Sequence, residues 1–150
     1  MKNLYEPQTT EEIKGRVAQL RPDSERLWGT MTVAQAVEHC SRGMEMATGD
    51  NLLPRVLIGR ILGPVVKRMA LGNNEPMRKN SPTAPALIVQ GEPEFKTQQE
   101  RLLRLIDRFV AAGPAGCTTH PHAFFGKLKP EEWAELMYKH LDHHLRQFGV

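Results

Sequence analysis

The sequence predicts an all-α protein: a four-helix bundle with a long central connection that contains short helix. Four segments of the 150-residue chain repeat apolar residues at intervals of three and four, the spacing of one helix face. Capping and stop signals flank these segments, and no stretch has a convincing strand pattern; only 86–89 is faintly extended. Because 40% of the residues are hydrophobic and 150 residues suit one core, we expect a single domain over 1–150.

The first two helices are predicted over 9–20 and 32–48. A proline stops the first pattern, and Gly49 with Asp50 stops the second. Both helices are expected to begin with the spacing of a capping box, formed by Thr9 with Glu12 and by Thr32 with Gln35.

The connection over 51–91 is harder to assign. Residues 53–71 are apolar but interrupted by Gly, Pro and basic residues, so we expect one or two short helices there, followed by a loop over 73–85 that suits a lid or binding loop. We favour a solvated face for the basic residues. The alternative is that these basic residues line the mouth of a pocket and attract a ligand that bears a carboxylate or a phosphate. A peripheral membrane helix is a further alternative, for which the helical wheel is poor. Residues 51–80 have a net charge of +5, from Glu75 against Arg55, Arg60, Lys67, Arg68, Arg78 and Lys79.

The last two helices have the clearest signals. Residues 92–112 carry one apolar stripe that ends at Gly113 and Pro114. Pro130 has the position of a first helical residue, with two glutamates in the first turn, so the final helix is predicted over 130–148.

Composition excludes several classes of protein. A net charge of +3 is too small to indicate nucleic-acid binding, and two cysteines make no disulfide framework. No run of 18 apolar residues occurs and the N-terminus has no apolar signal region, so we expect no membrane insertion. The interpretation is a reduced, cytoplasmic protein.

The histidines carry the functional signal, because five of the six lie in the last 31 residues. On a wheel of about 100° per residue, His140 and His144 both fall within about 20° of Trp133, inside the apolar stripe. His143 lies on the shoulder, and Glu135, Asp142 and Arg146 fall on the opposite side. Two imidazoles at i and i+4 on one face suit a metal ion. Histidines that bond to each other, to water or to a carboxylate are an equally favoured alternative on spacing alone.

A metal would need a third ligand, for which His39 on the second predicted helix is the candidate. It lies beside Ala36 and Gly43, small residues that would let another helix approach closely. Taken singly, a half-buried histidine without a metal is the commoner case. Cys40 and Glu38 are rival ligands.

These residues resemble the DinB/YfiT-like superfamily of metal-dependent proteins, in an uncharacterised bacterial branch. The matching motifs are Thr32-x6-His39, the loop 80–85, His120-Pro121, Phe125-Gly126-Lys127-Leu128, Glu131-Glu132-Trp133 and the terminal stretch from His140 through His143, His144 and Gln147 to Phe148. The resemblance implies a four-helix bundle with a three-histidine metal site made of His39, His140 and His144. Two features depart from the pattern: Lys129 replaces a capping Ser or Thr, and His122 and Phe124 are extra.

The resemblance also implies a function. Three histidines leave metal positions open, which is the catalytic pattern; they suit zinc, nickel, iron or copper, of which we favour zinc or nickel. We expect a metal-dependent enzyme acting with a low-molecular-weight thiol as S-transferase, or a related hydrolase, on a small-molecule substrate. The alternative is a non-catalytic metal- or ligand-binding stress-response protein, and the interpretation leaves room for a homodimer. Glu38, His143 and His120 are candidate general bases, and Cys117 is expected to be inert. The connection 51–91 is expected to form one wall of the pocket at the metal, with its basic residues at the mouth of that pocket.

Overall fold

The computed structural model describes residues 1–150 and contains five α-helices and no strand, so the all-α prediction is confirmed. Two 3-10 turns, Pro85–Leu87 and Pro114–Gly116, lie between helices. No helix is long and apolar enough to cross a membrane. The helices are α1 (Pro7–Gln19), α2 (Val33–Thr48), α3 (Leu57–Ala70), α4 (Phe95–Ala112) and α5 (Pro130–Gln147).

Helices α1, α2, α4 and α5 form the bundle. α2 packs on both α4 and α5, and α1 packs on the same two helices from the other side. Their inner faces enclose one cluster of 28 buried hydrophobic residues, in which Trp133, Phe109 and Met44 are among the largest fully buried side chains. α3 lies outside this arrangement.

The predicted start of the first helix is wrong by two residues. α1 begins at Pro7, whose fixed φ suits the first helical position, and Glu6 precedes it without a side-chain cap. Thr9 therefore lies inside the helix and donates its hydroxyl to Glu6 at 2.9 Å, so the expected capping box with Glu12 does not form.

The start of α2 matches the prediction. The backbone N–H of Gln35 donates to the Thr32 hydroxyl at 3.2 Å, and the backbone N–H of Thr32 donates to the Gln35 side chain at 3.0 Å. Gly49 ends the helix in the left-handed region, at φ 85°. These caps set the register that places His39 on the inner face.

α4 begins at Phe95 rather than 92. The carboxylate of Glu94 accepts the backbone N–H groups of Lys96 and Thr97 at 3.1 and 2.7 Å and so caps the helix. Glu92, expected inside the helix, instead accepts the Thr32 hydroxyl and ties this chain segment to the start of α2.

α5 begins at Pro130 as predicted, although Lys129 offers no hydroxyl cap. Glu132 compensates by accepting the Lys129 backbone N–H at 2.7 Å. Asp142 and Glu135 lie on the side of α5 opposite the apolar stripe, as the wheel predicts, yet both are buried. The cause is polar pairing: Asp142 binds Arg16 of α1 at 2.8 Å, and Glu135 accepts the backbone N–H of Gly72 at 2.8 Å.

The connection contains one helix of 14 residues, α3, with Pro64 inside it. Its only buried residues are Gly59 and Gly63, which lie against the backbone of Phe124. A Cβ at either glycine would come within 2.6 Å of the Phe124 carbonyl oxygen, so no other residue allows this approach. The faintly extended pattern at 86–89 proves misleading, because Pro85 starts a 3-10 turn there.

Candidate metal centre

Three histidine side chains converge where α2 meets α5. Their ring centroids lie 4.8 Å apart for His39 and His140, 4.9 Å for His39 and His144, and 4.9 Å for His140 and His144. One potential ligand atom from each ring lies within 4.8 Å of the other two. The structure thus brings together the three residues that the sequence selected. His39 is buried, while His140 and His144 are partly exposed.

Two of the three rings are held by oxygen acceptors on their far side. His39 Nδ1 lies 3.0 Å from the carbonyl oxygen of Leu87, and His144 Nδ1 lies 2.8 Å from Gln147 Oε1. Both oxygens can only accept, so each Nδ1 carries the proton and each Nε2 of the neutral ring keeps its lone pair. Metal-ligating histidines show the same outer support in known sites.

His39 and His140 also lie close to each other, with 2.8 Å between their Nε2 atoms. Gly43, one turn after His39 on α2, makes room for the His140 ring. A Cβ at that position would come within 3.0 Å of two atoms of the ring. The expected close approach at the small residues of α2 is therefore present.

Burial lowers the pKa of each of the three histidines. Loss of solvation is the largest cause in every case, and it brings the pKa of His144 to about 3. For His140 the positive forms of His39 and His144 add to the effect. The rings are consequently neutral at neutral pH, the form in which imidazole binds metal.

The residues present fit a divalent transition metal. Two nitrogens that each lie about 2.1 Å from one ion are at most about 4 Å apart. The three ligand atoms, at separations up to 4.8 Å, need only small side-chain rotations to satisfy this limit. Three imidazoles with no carboxylate or thiolate are a donor set typical of zinc and nickel among other metals.

The rival ligands are placed elsewhere. Cys40 faces the apolar core, where burial raises the pKa of its thiol, and it belongs to no cluster with the histidines. Glu38 forms an ion pair with Arg42 one turn further along α2. Cys117, expected to be inert, is buried and donates to the carbonyl of Ala47 at 3.6 Å.

The other histidines have separate partners. His143 packs edge-on against the indole of Trp28, at 5.9 Å between centroids, and stays outside the cluster of ligand atoms. His120 is hydrogen-bonded to the carbonyl of Leu53 at 3.0 Å. His122 accepts the backbone N–H groups of Phe124 and Phe125 through Nδ1, both at 3.1 Å. His120 and His122 thus hold the loop that carries them.

The expected basic mouth is not at the histidines. Arg55, Arg60, Lys67 and Arg68 line an open cleft of about 740 Å³ between α3 and the first half of α5, and none of the three histidines lines it. The cleft is bordered by Glu132 and Glu135 of α5. These two residues lie on a different face of the helix from His140 and His144, so the cleft does not reach the histidines. The 3-10 turn at Leu87 is the part of the connection that does reach the histidines.

The groups that hold two of the candidate ligands in place were not predicted from the sequence. Leu87 acts through its carbonyl oxygen, for which no side-chain signal exists. Gln147 was visible only as part of the terminal motif, although its i+3 spacing from His144 is the helical spacing that brings the two side chains together. Its amide also donates to the carbonyl of Trp28 at 2.9 Å and so ties the segment before α2 to the site.

Comparison with known proteins places the chain in a family. Residues 5–149 match the model of DUF1569, a family described as proteins of unknown function, and the chain belongs to it. No curated protein and no solved structure matches the sequence.

Proposed function

We propose that this chain binds one divalent transition metal, zinc or nickel, through His39, His140 and His144. The observation that carries the proposal is the direction of the ring nitrogens. Leu87 and Gln147 hold the Nδ1 atoms of two rings and leave their Nε2 lone pairs free, and one nitrogen of each of the three rings lies within 4.8 Å of the other two.

A hydrogen-bonded histidine pair without a metal explains less of the geometry. In such a pair His140 Nε2 would donate to His39 Nε2 across their 2.8 Å separation. Such a pair leaves the inner nitrogen of His144 without a partner, and it does not explain why the His144 ring lies beside the other two rings. A metal ion satisfies all three rings at once, which offsets the cost of burying them.

We further propose that the chain is a cytoplasmic enzyme of the DinB/YfiT-like superfamily that acts on a small molecule with a low-molecular-weight thiol. The terminal motif and the helical bundle support this proposal. A divalent metal with an open position lowers the pKa of water or of a thiol there. The chain's own contribution is to hold three neutral imidazoles together, with His140 and His144 less deeply buried than His39.

A second candidate is a non-catalytic metal-binding protein. It is favoured by the engagement of the candidate bases, since Glu38 is paired with Arg42 and His120 is bonded to a backbone carbonyl. His143 is the remaining candidate base near the site, 5.1 Å from His144 between centroids.

Elemental analysis of protein purified without an affinity tag tests the metal. We expect about one zinc or nickel ion per chain, and near-complete loss in His39→Ala, His140→Ala and His144→Ala. His143→Ala is the matched control, because its ring is adjacent in sequence but outside the cluster. Equal metal loss in His143→Ala and His144→Ala contradicts the assignment, as does a wild-type chain that takes up neither metal on titration.

Activity assays separate the two candidates. Metal-loaded wild type is incubated with low-molecular-weight thiols and electrophiles, and separately with activated esters. Turnover that disappears in His144→Ala supports the enzyme. A full metal complement with no turnover of either substrate class supports the binder.

A further inference from the structure

α3 exposes a continuous apolar face. Six large hydrophobic side chains lie along one side of the helix, each between 45% and 76% exposed. Exposed patches of this size on a protein mark an interaction surface. The six are Leu57, Ile58, Ile61, Leu62, Val65 and Met69.

Nothing in the chain covers this face. α3 is attached to the protein by the glycines that lie on Phe124, by the ion pair of Lys67 with Glu132 and by the Lys139 ammonium, which donates to the carbonyl of Ala70, and none of these contacts involves the six apolar side chains. A helix of 14 residues that contains Pro64 and two glycines is marginal in water on its own. Its apolar face therefore gains much from an external apolar surface.

The charges on and beside α3 indicate which kind of partner can cover its apolar face. Residues 51–74 hold Arg55, Arg60, Lys67 and Arg68 and no acidic residue. Since 51–80 sum to +5 and the chain to +3, the rest of the chain sums to −2. Arg60 and Arg68 are exposed and form no ion pair. α3 thus carries unpaired positive charge on the same helix as its apolar face.

A second copy of the chain matches this surface poorly. Two α3 helices packed face to face would bring together Arg60 and Arg68 of both copies, which have no ion-pair partner in the chain. An anionic lipid surface supplies both missing partners: acyl chains for the six apolar residues, and phosphates for the arginines and for the basic cleft beside α3.

We propose that α3 docks this protein on the surface of an anionic membrane. The helix lies in the plane of the interface, with Ile61 and Val65 directed into the acyl region. Arg60 and Arg68 lie at headgroup level, where long basic side chains settle. The proposal is independent of the metal centre.

Vesicle co-sedimentation of the full chain tests the proposal. Vesicles of equal parts phosphatidylglycerol and phosphatidylcholine are compared with vesicles of phosphatidylcholine alone, at low and at high salt. We expect binding to the anionic vesicles at least about tenfold stronger, with a loss of that preference at high salt. Ile61→Glu and, as a second variant, Val65→Glu should each weaken binding by about tenfold or more.

Leu27→Glu is the matched control, because Leu27 is similarly exposed but lies outside α3. It should bind vesicles like wild type, and far-ultraviolet circular dichroism should show that all variants keep their helices. Equal binding to both vesicle types overturns the proposal. So does a dimer, found by light scattering without lipid, that Ile61→Glu converts to monomer, because the face then belongs to a second copy.

Discussion

Gln147 links the candidate metal ligand His144 to the chain segment before α2. Its oxygen accepts the His144 Nδ1 proton at 2.8 Å, and its nitrogen donates to the carbonyl of Trp28 at 2.9 Å. A ligand whose outer nitrogen is held in this way is fixed in both tautomer and orientation.

Replacement of Gln147 should therefore weaken metal binding without touching a ligand. We expect Gln147→Leu to lower metal affinity by roughly 10- to 100-fold. Gln147→Glu keeps an acceptor for His144 and should lose less. Titration with zinc against a competing chelator measures both, and equal affinity of Gln147→Leu and wild type would show that the hydrogen bond does not matter.

His122, which is not a candidate metal ligand, gives the protein a pH-dependent stability. Burial lowers the pKa of its imidazole to about 4, from an ordinary value of about 6.5. The folded protein thus holds this ring neutral, while the unfolded chain takes up a proton below about pH 6.5. The stability from this group is complete above about pH 6.5 and is lost as the pH falls towards 4.

His122→Asn tests this, because an amide oxygen can still accept the backbone N–H groups of Phe124 and Phe125. Between about pH 6.5 and pH 4, wild type should lose about 3 kcal/mol more free energy of unfolding than the variant does. Urea unfolding at several pH values measures the difference. Parallel pH profiles for the two proteins would show that His122 does not titrate in this range.

At the level of elements, the site depends on how closely α5 approaches α2. Gly43 is the contact point, since a Cβ there would lie 3.0 Å from the His140 ring. Gly43→Ala should raise the intrinsic stability of α2 and yet push His140 out of place by a few tenths of an ångström. We expect metal affinity to fall about tenfold or more in this variant.

Gly15→Ala is the control for Gly43→Ala. Gly15 lies in α1, and no atom is within 4 Å of a Cβ placed there. This variant should gain about 0.5–1 kcal/mol of stability from helix propensity and keep its metal. Isothermal titration with zinc, together with thermal unfolding, separates the two effects; unchanged metal affinity in Gly43→Ala would mean that α5 can shift without disturbing the site.

The start of a helix was predicted correctly where only one helix-start signal was present in the segment. Thr32 with Gln35 formed the predicted box because both partners lie at the start of α2. At α1 the same spacing was present, but Pro7 upstream started the helix first. For α3 the wheel over 53–71 was poor because the helix begins only at Leu57, and because its packed face is defined by two glycines rather than by apolar residues.

At the level of the whole molecule, 28 buried hydrophobic residues, contributed by all four bundle helices and by the segments that flank them, form one cluster. We therefore propose that 1–150 unfold as a single domain. Trp133 is inside the core, so its fluorescence and the far-ultraviolet circular dichroism should change together in urea. Separate transitions for the two probes would show more than one unit.

Metal should add to this stability. Zinc or nickel at about 100 times its dissociation constant should raise the free energy of unfolding by about 3 kcal/mol in wild type. His144→Ala should show no such gain. A gain of equal size in both proteins would indicate metal binding outside the three histidines.

The helical class, the four bundle helices and the inward-facing pair His140 and His144 followed from the sequence, because each depends on local periodicity. Periodicity left His39 as one candidate beside Cys40 and Glu38, and the family resemblance selected it as the third ligand. The distance between these helices, the carbonyl of Leu87 behind His39, the burial of Asp142 by Arg16 and the exposed side of α3 depended on the tertiary structure. The first three are contacts between residues far apart in the chain and the fourth is the lack of such a contact, and the periodicity within a segment does not specify which remote residues will pack against it.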